Sequence, residues 1–114
     1  MTKHKVVLVQ FPFDDLSAGK VRPAVCLTHP IGPHQHLIVA FVTSRIPATP
    51  LETDLIIDSS DADFAATGLR VSSTLRVHRL MTVTTSLLRR ELGALSPAMQ
   101  AQVHERLRLV FELG

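Results

Sequence analysis

Arg22 stands directly before Pro23 in Lys20-Val21-Arg22-Pro23-Ala24-Val25. A residue preceding proline is held in extended conformation. Arg22 is thereby restrained at the mouth of a strand, where a guanidinium can meet an anion or make a surface ion pair. Thr43-Ser44-Arg45 closes an apolar run that begins at Leu37. It offers two hydroxyls and a guanidinium at a strand end, although hydroxyls there also serve to satisfy backbone groups. A cation and hydroxyls of this kind suit an anion on which charge develops during reaction. A preorganised cation facing developing charge in a dry site contributes about 3 to 4 kcal/mol. With a pKa above about 12, arginine fits charge stabilisation better than acid or base work. Thr43 or Ser44 would orient a phosphate oxygen.

The charge distribution supports an anionic partner. Of 12 Lys and Arg residues, nine are Arg, the side chain suited to bidentate phosphate contacts. Glu52, Asp54, Asp58, Asp61 and Asp63 form an acidic stretch without a base. Arg70, Arg76, Arg79, Arg89 and Arg90 follow in a segment without an acid. The two stretches either neutralise one another across the fold or leave the arginines for nucleic acid. His78 in the Arg-rich segment either reaches RNA or is a surface histidine. His29, His34 and His36 lie in a Pro-rich loop with no Cys or clustered carboxylate to complete a tetrahedral metal set, so no metal or other cofactor is expected. Cys26, among apolar residues, reads as inert core, and Asp14 and Asp15 read as loop-shaping residues.

These residues need a scaffold, and 114 residues, 46% hydrophobic and with a formal net charge of +2, suffice for one globular domain spanning 1–114. Disorder is excluded by the apolar fraction. No apolar run approaches the 18 or more residues of a membrane-spanning helix. No signal-peptide core follows the basic start, and the single cysteine agrees with a reducing compartment, so a cytoplasmic protein without membrane contact is expected. Lys5 to Phe11, Pro23 to Thr28, Leu37 to Thr43 and Thr53 to Asp58 read as strands. Leu37 to Thr43, apolar on both faces, belongs at the centre of the sheet. Ser59 to Ala66 reads as a short helical turn closed by Gly68, and Val71 to Leu80 as one or two further strands. A short helix is predicted over Thr85 to Leu92, stopped by Gly93. Ser96 as N-cap and Pro97 at the first helical position open an amphipathic helix with Met99, Val103, Leu107, Val110 and Phe111 on one face. The fold class is mainly β with α: a small, five to seven stranded, mostly antiparallel sheet curled into a barrel, with a C-terminal amphipathic helix.

Several blocks together resemble the MazF/PemK family of toxins from bacterial toxin–antitoxin pairs. They are Val6 to Phe13 (VVLVQFPF), Lys20 to Leu27 (KVRPAVCL), Phe41-Val42-Thr43-Ser44, Gly68-Leu69 with Ser72, Ser73 and Arg76, and Leu92-Gly93-Ala94-Leu95-Ser96. The resemblance runs from Lys5 to Leu113, and Lys-x-Arg-Pro-Ala-Val is its most specific piece. It implies a small barrel with a helix, a homodimer, and a metal-independent endoribonuclease that cuts single-stranded RNA at short sequences and is neutralised by a cognate antitoxin. The family's catalytic arginine falls on Arg22 and its catalytic threonine on Thr43. Where the family often carries a Ser-Glu-Gln-Gly-type loop that helps choose the RNA sequence, this chain has Leu16-Ser17-Ala18-Gly19-Lys20. Ser17, Lys20, Ser44, Ser72, Arg76 and His78 make up the expected substrate-binding set. Two other readings use the same scaffold: a gyrase-poisoning toxin of the CcdB type, and a barrel that binds nucleic acid or antitoxin without catalysis. The CcdB family resembles its own members through a C-terminal Trp-containing tail, and this chain has no Trp.

Overall fold

The computed structural model describes residues 2–10 and 20–114. The Phe-Pro-Phe segment, Asp14, Asp15 and Ser17 lie outside the described residues. Six strands form one antiparallel sheet: β1 Lys5–Gln10, β2 Val21–Cys26, β3 His36–Thr43, β4 Asp54–Ile57, β5 Ser73–Thr84 and β6 Leu88–Ala94. Their spatial order is β4-β5-β3-β2-β1-β6, so the strand expected at the centre is central. Among the described residues one α-helix, α1 Pro97–Phe111, follows the sheet. The sheet is curled but not closed, since β4 and β6 end it without pairing to each other.

Alternation along the strands builds two apolar layers, because successive side chains point to opposite faces. On the helix side, Val6, Val25, Leu27, Ala40, Val42, Leu55, Ile57, Leu75 and Val77 pack with Leu95, Met99 and Val103. Val7, Val9, Ala24, Cys26, Leu37, Val39, Phe41 and Val83 form the opposite layer. Fully burying a Val or Leu side chain is worth about 1.5 to 3 kcal/mol. A one-residue slip of any inner strand would exchange the two layers, so the register is strongly specified. Ser96 caps α1 as expected, its Oγ accepting from Met99 N at 3.2 Å. Met99 and Val103 are buried, but Phe111, predicted on the apolar face, is 57% exposed in the last turn.

The predicted helix over Thr85 to Leu92 is not formed. A 3-10 turn spans Thr85–Leu87, and the chain then enters β6 and pairs with β1. The helix-forming run Leu-Leu-Arg-Arg-Glu-Leu yields to the unpaired edge of β1, a tertiary override of propensity. Two register shifts in the β1–β6 pairing break the simple alternation that would have announced a strand. Gly93 therefore stops no helix. It lets β6 touch the 3-10 turn Ala65–Thr67: a Cβ on Gly93 would lie 2.2 Å from Ala66 O. Gly68 closes that turn in the left-handed region at φ 74°, as the sequence indicates. Its own added Cβ would lie 2.1 Å from Leu92 O. Of the segment Val71 to Leu80, all but Val71 and Ser72 falls into one long strand, β5, which runs on to Thr84 and is bulged opposite the step from Ala40 to Phe41.

Candidate functional site

Strand pairing puts the two principal residues on neighbouring strands. In the β2–β3 pairing, Ala24 faces Phe41 and Val25 faces Ala40. That ladder ends at Ala24 and Phe41, two residues short of Arg22 on β2 and of Thr43 on β3, at the same end of the sheet. Arg22 is also paired with Val9 of β1. Arg22 shares the parity of Ala24 and Cys26, and Thr43 that of Phe41 and Val39, so both belong to the face opposite α1. Arg22 is exposed at its strand mouth and Thr43 half-buried. Thr43 Oγ1 accepts from Arg45 N at 3.2 Å, which leaves its hydroxyl hydrogen able to donate. The turn after Thr43 is pinned from β5, where Thr74 Oγ1 donates to Arg45 O at 2.9 Å. Thr74 is the cross-strand partner of Thr43.

Arg76 joins this face in the adjoining row. It pairs with Phe41 of β3 and with Asp54 of β4. Its Nε donates to Asp54 Oδ1 at 3.0 Å, and the Asp54 side chain is fully buried. The intramolecular pairing considered for the Arg-rich segment thus exists at Arg76, but with Asp54 and not with Asp58, Asp61 or Asp63. Arg70, Arg79 and Arg90 make no ion pair among the described residues.

The other expected contacts are scattered. Lys20 is exposed just before β2. Ser44 lines a cavity of about 270 Å³ with Leu8, Pro23, Leu69, Arg70 and Arg90. This cavity belongs to the same strand ends, but its Leu8 and Pro23 have the parity of the helix side. Ser72 is occupied as a brace, its Oγ accepting from Ser59 N at 2.8 Å. His78 is exposed within the β5 bulge, two residues beyond Arg76. Ser17 lies outside the described residues. Asp54 was missed: its only sequence signal is an acid at the head of the apolar run Leu55-Ile56-Ile57, a position that looks like a solvated strand end.

Away from these strand ends, burial pushes the Cys26 thiol up to about 11, with Glu91 adding to the shift, which leaves it unreactive. Burial, with His104, Lys3 and His29 close by, lowers the pKa of His4. The His4 and His104 Nε2 atoms are 3.2 Å apart. His29 Nδ1 accepts from the backbone N–H groups of Thr2 and Lys3 at 3.4 and 3.3 Å. Asp58 is held below its ordinary value by the backbone N–H and hydroxyl of Ser60. No helix among the described residues is long and apolar enough to cross a membrane.

Comparison with solved structures gives the same fold. A Mycobacterium tuberculosis toxin, MazF-mt6, superposes with a TM-score of 0.73 at 23% identity, covering 96% of this chain and 98% of its own. An endoribonuclease in complex with its cognate antitoxin, from a mycobacterial species, gives 0.72 at 13% identity, with 100% and 97% covered. A MazE–MazF structure from Deinococcus radiodurans gives 0.71 at 17% identity, again with 100% and 97% covered. A search of curated protein sequences finds no match. Residues 2–111 match the family of PemK-like, MazF-like toxins of type II toxin–antitoxin systems, and the chain belongs to that family.

Proposed function

We propose that the protein is a sequence-specific, metal-independent endoribonuclease that cuts single-stranded RNA, mRNA in particular, and so arrests translation. It acts as a cytoplasmic homodimer and is neutralised by a cognate antitoxin. The observation that supports this reading is that Arg22 and Thr43 lie on neighbouring strands, at the same end and on the same face of the sheet. Similarity to toxins solved with MazE or with a cognate antitoxin supports the partner.

In the reaction, the 2′-hydroxyl oxygen adds to the adjacent phosphorus while its proton departs. The bond from phosphorus to the 5′-oxygen breaks, and that oxygen takes up a proton. The products are a 2′,3′-cyclic phosphate and a 5′-hydroxyl. Arg22 stabilises the charge that builds on the phosphorane, which is worth most in a site from which the RNA has displaced water. The Thr43 hydroxyl donates to a non-bridging oxygen and fixes the phosphate for in-line attack. Because the nucleophile belongs to the substrate, the step needs no activated water.

Incubation of the purified protein with mixed-sequence RNA in EDTA tests the proposal. Defined fragments whose ends are a cyclic phosphate and a 5′-hydroxyl by mass spectrometry are expected. RNA bound but left intact would favour a non-catalytic barrel, and inhibition of gyrase without cleavage would favour the CcdB-type activity. Loss of cleavage in EDTA would overturn metal independence.

A further inference from the structure

Asp54 is an anomaly of the short edge strand: a carboxylate whose side chain is wholly buried. Four hydrogen bonds fix it. Its backbone N–H donates to Leu51 O at 3.0 Å, and Leu51 N donates back to Oδ2 at 2.9 Å. Arg106 of α1 donates from Nε to Asp54 O at 3.1 Å. Arg76 completes the set through Oδ1. A buried ion pair is a poor source of net stability beside well-packed apolar residues. What this one supplies is geometry.

Arginine carries five N–H donors on a rigid plane. With Nε–H committed to a rigid carboxylate, the plane of the Arg76 guanidinium is set, and its terminal nitrogens have no partner among the described residues. Arg76 lies one strand across and two residues along from Thr43, roughly 7 Å in strand rise, on the same face. Resting on the ribonuclease reading, we propose that Asp54 is a positioning residue: it aims the terminal nitrogens of Arg76 at the phosphate flanking the one held by Arg22 and Thr43.

The electrostatic alternative makes the opposite forecast. If Asp54 merely neutralised Arg76, removing its charge would tighten RNA binding. Asp54→Asn keeps the shape and one acceptor oxygen, which the Leu51 N–H can retain, while presenting an amide to Arg76. The test is steady-state cleavage of an oligoribonucleotide carrying the site mapped from mixed RNA, at a temperature where circular dichroism shows each variant folded. We expect Asp54→Asn to raise KM about tenfold, the loss of one oriented charge-assisted contact, with kcat nearly unchanged. Arg76→Gln should do the same, and the double variant should be no worse than Arg76→Gln alone. A lowered or unchanged KM in Asp54→Asn, or additive losses in the double variant, would overturn the positioning role. Should Asp54→Asn not fold, Arg76→Lys carries the test: it keeps the charge without the fork, and a wild-type KM would overturn the proposal. Absence of cleavage by the unaltered protein would instead overturn the ribonuclease reading, and this role with it.

Discussion

Replacing Gly93 by Ala should open the joint between β6 and the 3-10 turn Ala65–Thr67. The added methyl would sit 2.2 Å from Ala66 O and 2.6 Å from Thr67 C. Carbon atoms pack at about 3.5 to 4 Å, so the two segments must separate by more than about 1 Å. Both partners are main chain and cannot rotate aside. The turn carries buried Thr67 and is flanked by Phe64 and Leu69, which pack on the helix-side core, so separation also loosens that layer. Overpacking costs about 1 to 3 kcal/mol, and this rigid contact belongs at the top of that range. For a chain of this size about 3 kcal/mol corresponds to a fall in Tm of roughly 12 °C. Gly68→Ala meets the same joint from the other side and adds left-handed strain of about 1 to 2 kcal/mol. A turn already displaced by one methyl accommodates the second more cheaply, so the double variant should lose less than the sum by about 1 kcal/mol or more. Thermal and urea unfolding followed by circular dichroism give all three values. A Gly93→Ala protein melting within about 2 °C of the parent, or strict additivity in the cycle, would show that the two backbones are not in this contact.

Arg22→Ala should abolish RNA cleavage in a folded protein, and Arg22→Lys should restore little, because a point charge does not reproduce a planar fork; a cleavage assay beside circular dichroism decides both. Arg76→Glu should weaken RNA and antitoxin binding together and also lower stability, since it sets a second carboxylate against buried Asp54; binding titrations across salt concentrations and a melt read out the two effects. His4 has a folded pKa below its ordinary value of 6.5, through burial and then His104, so the unfolded chain takes up the proton first as pH falls. Stability is therefore full above the ordinary value and lost as pH drops through the folded one, and His104→Gln should flatten that slope in urea titrations run across the window. Cys26 should react with an alkylating probe only as fast as the sheet opens, so a rate at neutral pH matching a free thiol would contradict its burial.

Local chemistry made much of this fold readable. Val and Leu runs bounded by Pro, Gly and Asp gave the first four strands, and Ser96-Pro97 with the apolar spacing after it announced α1. β6 was hidden because its identity is decided by a partner, the open edge of β1, and its register shifts erase the alternation. Phe111 keeps helical spacing with Val103 and Leu107, but by the last turn the helix has run past the layer it packs on. In the site, Pro23 marked Arg22 and the end of an apolar strand marked Thr43. That they end neighbouring strands on one face depends on the pairing of β2 with β3, which no local pattern states. Asp54 could not be singled out, since its burial is produced by Leu51, Arg76 and Arg106, distant from one another in the chain.

Among the described residues the curled sheet has two unpaired edges, β4 and β6, and each is a template on which another chain could add a strand. Both are poor templates here. β4 is only four residues long and leads into Asp58, Asp61 and Asp63. β6 carries exposed Arg89, Arg90 and Glu91 and is kinked by the register shifts against β1. A β4–β4 contact would crowd like charges, and in a β4–β6 contact, where the charges attract, a four-residue strand meets a kinked one and the ladder cannot continue. The openness that gives the sheet its accessible face is thus kept from becoming a path to aggregation, and neutralising the β6 charges is the change that would expose that path.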